Sequence, residues 1–186
     1  MTGRSFLFHR LDAFVAGTVG EPGSRIFYIQ ARSGDEIVSL RLEKEQVGML
    51  GQYLGQLAQS MGATEPAQAA PGLVEPVTAE WVVGALSVGI DEENGLIFVT
   101  AEELEIDDGS DEYVDDDLDD GTDELDTVDP DPLDDPDVAS AQFALQPGQA
   151  IAFADAAMDL VRAGRRPCPL CGRPMGPSTH SCPRWN

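Results

Sequence analysis

The sequence predicts an α+β fold: two β-β-β-α repeats forming antiparallel sheet packed with two helices, followed by a C-terminal zinc-knuckle-like tail. Three observations carry that expectation. Apolar residues alternate at period two in short runs bounded by Gly, Pro and Asn, and they recur at helical period in two longer runs. The order of these signals then starts again after a stretch rich in Ala, Pro and Gly.

Residues 14–19 and 25–31 read as two strands joined by the Gly/Pro turn in "VGEPGSR". "EIVSLRLE" follows as a half-buried strand, with Ile37, Leu40 and Leu42 among its apolar positions. In "KEQVGMLGQYLGQLAQSM", Val47, Leu50, Leu54, Leu57 and Met61 recur at helical spacing. Gly48, Gly51 and Gly55 oppose that helix by up to about 1 kcal/mol each relative to alanine, so packing has to hold it. Residues 63–78 read as a linker between a first repeat at 1–62 and a second at 79–164. The second repeat shows two strands around a Glu-Asn-Gly turn, then a strand and a helix in "ASAQFALQPGQAIAFADAAMDLVRAG". Set in register, the two halves pair Phe14 with Trp81, Gly17 with Gly84, Leu42 with Leu145, Gln46 with Gln149 and Leu50 with Phe153. One copy offers too few strands to close a core alone, so two would have to pack together.

At 186 residues and 42% hydrophobic, the chain is long enough for a buried core. Nothing in it approaches the run of about 20 apolar residues that a membrane-spanning helix needs. "MTGRSFLFHRLD" lacks the apolar core and cleavage site of a secretory signal. The expectation is a cytoplasmic protein with no membrane partner, whose clustered cysteines serve metal or redox chemistry more than disulfides.

The formal net charge of −23 is unevenly spread. Residues 105–137 hold 18 of the 34 carboxylates, no Lys or Arg occurs between Lys44 and Arg162, and the chain from Arg162 onward carries five arginines and no acid. The acidic stretch, an insert at about 105–138 in the second repeat, has too few apolar residues to offset its ordering entropy and is expected to be disordered. A calcium loop does not fit it. With Gly121 at the invariant glycine, Leu118 and Thr127 fall where an oxygen ligand and a bidentate Glu are required.

All three cysteines lie in the tail at 165–186, in "CPLCGRPMGPSTHSC". Cys168 and Cys171 form a Cys-Pro-Leu-Cys turn followed by Gly172; His180 and Cys182 add an imidazole and a third thiol. Cys168, Cys171, His180 and Cys182 make a complete tetrahedral Cys₃His set, which favours a structural Zn²⁺ whose binding supplies the folding energy of the tail. A thioredoxin-like pair fits less well, because Pro167 and Pro169 flank Cys168; an iron–sulfur cluster would ordinarily take four cysteines. Redox, iron–sulfur and unmetallated readings stay as alternatives. His9, the only other histidine, has no evident nucleophile or carboxylate partner in the pattern, and the sole lysine, Lys44, follows no phosphate-binding loop. No catalytic residue is assigned.

"FVAGTVGEPGSRIFYIQARSG" together with "CPLCGRPMGPSTHSCPRWN" resembles the DUF3090 family, actinobacterial proteins of uncharacterised function, over nearly the whole chain except the acidic insert. Where the family pattern has Pro–Xaa–Gly–His, this chain reads Pro177-Ser178-Thr179-His180, which keeps the histidine. The resemblance implies a shared pathway or complex with a kinase-like or a histidine-phosphatase-like protein encoded nearby, and no reaction. The function expected on these grounds is a non-enzymatic protein-interaction or scaffold module with a zinc-stapled tail. The alternative is a nucleic-acid-binding protein, in which Arg165, Arg166, Arg173 and Arg184 contact phosphate and Trp185 stacks on a base.

Overall fold

The computed structural model describes residues 4–21, 23–67, 72–105, 138–163, 168–172, 175 and 182–185. Along them run β1 (Ser5–Phe8), β2 (Ala13–Val19), β3 (Ile26–Ser33), β4 (Glu36–Leu42), α1 (Lys44–Ser60), β5 (Val83–Asp91), β6 (Leu96–Glu103), β7 (Ser140–Leu145) and α2 (Pro147–Arg162). The fold is α+β with two sheets and two helices. One sheet has the order β2-β3-β4 and the other β1-β7-β6-β5.

Within β2-β3-β4 and β5-β6-β7 every pairing is antiparallel, as the short turns joining β2 to β3, β3 to β4 and β5 to β6 favour. The exception is β1. It pairs in parallel with β7, placing Phe6 opposite Ala141 and Phe8 opposite Phe143. This strand is a correction to the sequence reading, which left residues 5–8 unassigned because four residues are too few for a period to register. The two sheets meet where residues 80–82 run beside β4, with Arg41 N–H donating to the Trp81 carbonyl at 3.0 Å and Glu80 N–H to the Ser39 carbonyl at 2.8 Å.

Period two sorts β3 into faces. Phe27, Ile29 and Ala31 enter the core, while Gln30 points to the opposite side. Gln30 is nonetheless only 1% exposed, because the segment after residue 71 crosses this outer face. Its amide accepts from Val74 N–H at 2.8 Å and donates to the Val74 carbonyl at 3.2 Å and to Ser39 Oγ at 3.1 Å. Leu73 lies against Gly17, where a Cβ would collide with its side chain. The stretch read from sequence as a linker thus covers a sheet face, and a buried amide that would otherwise be costly is fully bonded.

Across the core, aromatic rings form a continuous run. Trp81 stacks on Phe6 at 5.8 Å, Phe6 lies 6.4 Å from Phe8, Phe8 5.6 Å from Phe143, Phe143 5.3 Å from Phe14 and Phe14 4.9 Å from Phe153. The run ties β1 and β7 of one sheet to β2 of the other and to α2.

The helices pack on each other. Val47, Leu50, Leu54 and Ala58 form the buried stripe of α1, as their spacing predicts, and Gly51 is buried among them. A Cβ on Gly51 would stand 2.7 Å from Ala157 Cβ, one on Gly55 3.2 Å from Ala154 Cβ, and one on Gly48 3.5 Å from Val161 Cγ2. As the position climbs on α1 it falls on α2, so the helices run antiparallel. The glycines that weaken α1 intrinsically are what let α2 come close. Each helix opens with the same device: Gln46 Oε1 accepts from Glu43 N–H at 2.8 Å and Gln149 Oε1 from Gln146 N–H at 2.9 Å. Each of these glutamines then reaches into the other half of the chain, Gln46 to the Val83 carbonyl at 3.1 Å and Gln149 to the Leu11 carbonyl at 2.9 Å.

Residues 106–137, with most of the acidic insert and the discarded calcium loop, lie outside the described residues. The strands on either side are held in register from Ile97–Leu145 to Glu102–Ser140, and Glu103 N–H donates to the Ala139 carbonyl at 2.8 Å.

Candidate metal centre

Helix α2 ends at Arg162, where Ala163 N–H donates to the Asp159 carbonyl at 2.8 Å. Beyond it two turns face each other, each built on a Cys-Pro dipeptide. In the first, Gly172 N–H donates to the Cys168 carbonyl at 2.8 Å; closing it takes a left-handed residue, and Gly172 has φ 72°. In the second, Trp185 N–H donates to the Cys182 carbonyl at 3.0 Å. Arg184 ties the turns together, its Nη1 donating to the Leu170 carbonyl at 3.1 Å.

This arrangement gathers three sulfurs. The Sγ atoms of Cys168, Cys171 and Cys182 all lie within 4.8 Å of one another, and those of Cys168 and Cys182 are 3.8 Å apart. Two thiolates at about 2.3 Å from one tetrahedral ion are separated by about 3.8 Å. The three cysteines could therefore hold a metal ion without moving far. None of the three is joined in a disulfide.

The electrostatics favour ligation. Backbone N–H groups of Cys171 and then Leu170 point at the Cys168 sulfur and hold its pKa down to about 6, so it is a thiolate at neutral pH. Burial, and after it the neighbouring thiols, push Cys182 up. In the metal-free chain we expect thiolate absorbance to show one cysteine ionising near pH 6, well before Cys182, and that step to vanish in Cys168→Ser. The sign follows from the lowered value. What the thiolate contributes to this turn is full above the ordinary thiol range and is lost as pH falls through about 6.

Of the residues singled out from sequence, Cys168, Cys171 and Cys182 come together. His180, Arg165, Arg166 and Arg173 lie outside the described residues. Arg184, read as an anion contact, spends one donor on the Leu170 carbonyl, and Trp185 is 79% exposed beside it. The structural part played by Arg184 escaped the sequence reading. Its signal was the second Cys-Pro dipeptide, which marks a second turn facing the first. His9 is exposed just past β1.

Among the described residues no helix is long and apolar enough to cross a membrane. No curated protein and no solved structure shows significant similarity to the chain. A family model does match it, over residues 6–182, from β1 through the last cysteine. The chain therefore belongs to the family described as protein of unknown function (DUF3090).

Proposed function

We propose that this chain is a protein-interaction module whose tail is folded around a structural zinc ion held by Cys168, Cys171, Cys182 and His180. The observation that carries the reading is the meeting of two Cys-Pro turns with their sulfurs at tetrahedral spacing. Three thiolates and an imidazole close the coordination shell, which suits a structural ion rather than a catalytic one. Around this centre the turns present Trp185 and half-exposed Leu170, apolar groups of the kind that anchor a protein interface. The family's implied partners, a kinase-like or a histidine-phosphatase-like protein, are the first candidates.

The recurrence of three antiparallel strands and a helix, each helix opened by a Glu or Gln with Gln three residues on, supports reading the body as a duplicated β-β-β-α unit. The exchanged Gln46 and Gln149 bonds suit two copies packed about a pseudo-twofold.

The test couples metal content to binding. Protein purified without chelator should carry one zinc per chain, and each candidate partner should bind wild type but not a Cys168→Ser/Cys171→Ser variant. Substoichiometric zinc, or binding untouched by the double substitution, would refute the reading. Recovery of RNA instead, with affinity falling steeply as salt rises, would favour the arginine-rich tail as a nucleic-acid contact.

A further inference from the structure

We infer that the groove between α1 and β5 docks an extended, apolar segment of a partner protein flanked by Lys or Arg, which adds as a strand to the β5 edge. The surface is made by residues other than those of the cysteine cluster, and it goes beyond the tail reading above.

Each sheet ends on an edge strand beside a helix: β2 beside α2, and β5 beside α1. The first junction is closed from within the chain. Phe14 and Phe153 meet at 4.9 Å, and residues 65–67 pass across it, with Pro66 and Ala67 lining the cavity of about 300 Å³ that is left and Ala67 N–H donating to the Gly148 carbonyl at 2.7 Å. At the second junction no described residue plays that part. A groove of about 470 Å³ stays open, with Met49, Leu50 and Tyr53 along the helix wall and Leu86 and Val88 along the strand wall. Met49 is 65% exposed and Tyr53 51%, and Ile90, 44% exposed, continues the strand's apolar row at period two.

The chemistry of the groove selects its occupant. Gln46, at one end, is already engaged: its Oε1 accepts from Glu43 N–H, and its Nε2 donates to the Val83 and Gly84 carbonyls. That leaves no converging polar set to orient a small molecule. What remains is an edge: β5 pairs with β6 on one side and with no described strand on the other. An added strand gains backbone hydrogen bonds along it and seats alternate side chains against Leu86 and Val88.

The rim is acidic. Glu43 and Glu45 lie at the start of α1, and Asp91, Glu92 and Glu93 form the hairpin beyond the far end of β5. Arg41 and Lys44 are the only cations near it in sequence, because the chain has none between Lys44 and Arg162. A second copy would bring two such rims face to face and be repelled, whereas a segment flanked by Lys or Arg is attracted.

The test titrates the isotope-labelled full chain with three short synthetic peptides: alternating valine and threonine flanked by lysines, the same core flanked by glutamates, and the lysine-flanked core interrupted by proline. The lysine-flanked peptide should shift amide resonances of β5 and of residues 46–53. The other two peptides, and a Met49→Lys/Tyr53→Lys variant, should bind at least about tenfold more weakly. The Cys168→Ser/Cys171→Ser chain should bind this peptide unchanged, so a failure here is distinguishable from a failure of the tail. Equal affinity for all three peptides, shifts confined to residues 106–137, or no shifts would overturn the inference. So would self-association abolished by the Met49/Tyr53 variant, which would make a second copy the occupant.

Discussion

Truncating Phe143 to alanine is expected to destabilise the chain by about 3–5 kcal/mol, read as a lower denaturant midpoint at unchanged slope. Phe143 is 1% exposed and lies between Phe8 at 5.6 Å and Phe14 at 5.3 Å. Its removal therefore breaks two aromatic contacts, each worth about 0.5–1.5 kcal/mol beyond area alone, at the point where one sheet touches the other. Domains of this size are stable by only about 5–15 kcal/mol, so the variant should be marginal at physiological temperature. Phe143→Leu should lose much less, because it keeps most of the volume. A loss below about 1 kcal/mol for the alanine variant would mean that the aromatic run is not continuous in solution.

Gly51→Val is expected to cost about 3 kcal/mol or more, the upper range for overpacking a filled interface. Its Cβ alone would fall 2.7 Å from Ala157 Cβ, and both helices contribute backbone there, so relief requires them to separate. The neighbouring Gly48 is the control. A Cβ at that position meets only Val161 Cγ2 at 3.5 Å, an ordinary contact, so Gly48→Ala should be neutral or stabilise by up to about 1 kcal/mol through helix propensity. Equal destabilisation by the two substitutions would show that α1 senses propensity rather than proximity to α2.

Helix α1 shows what was legible and what was not. Its buried stripe of Val47, Leu50 and Leu54 follows from spacing alone, because a 3.6-residue period leaves one face for the core. That its three glycines face Ala154, Ala157 and Val161 does not follow, since a gap in one helix is explained only by what fills it from another. Strand β1 was invisible for its brevity and because its partner, β7, is 135 residues away at Ser5 and Ser140. The burial of Gln30 has no local signal, because its partner Val74 is 44 residues on, in a stretch whose composition says only loop. The cysteine cluster was more legible than the body. Cysteine is rare in this chain, ligand chemistry is local, and the turn Cys168–Gly172 is fixed by its own five residues. The bond from Arg184 to Leu170 was not legible, because arginine's charge suggests a ligand before it suggests a brace.

The hydrogen bond from Glu103 to Ala139 makes the β6–β7 junction an insertion port. The ladder already holds the two exits of the acidic segment side by side, so the body does not depend on that segment to bring its strands together. A flexible replacement would cost only about 0.6 kcal/mol of closure entropy for each doubling of its length. The segment can therefore be shortened to a tight turn, lengthened, or exchanged for a fluorescent or affinity domain while the sheet keeps its register. Charge carried at that port becomes a property the protein can vary independently of its fold.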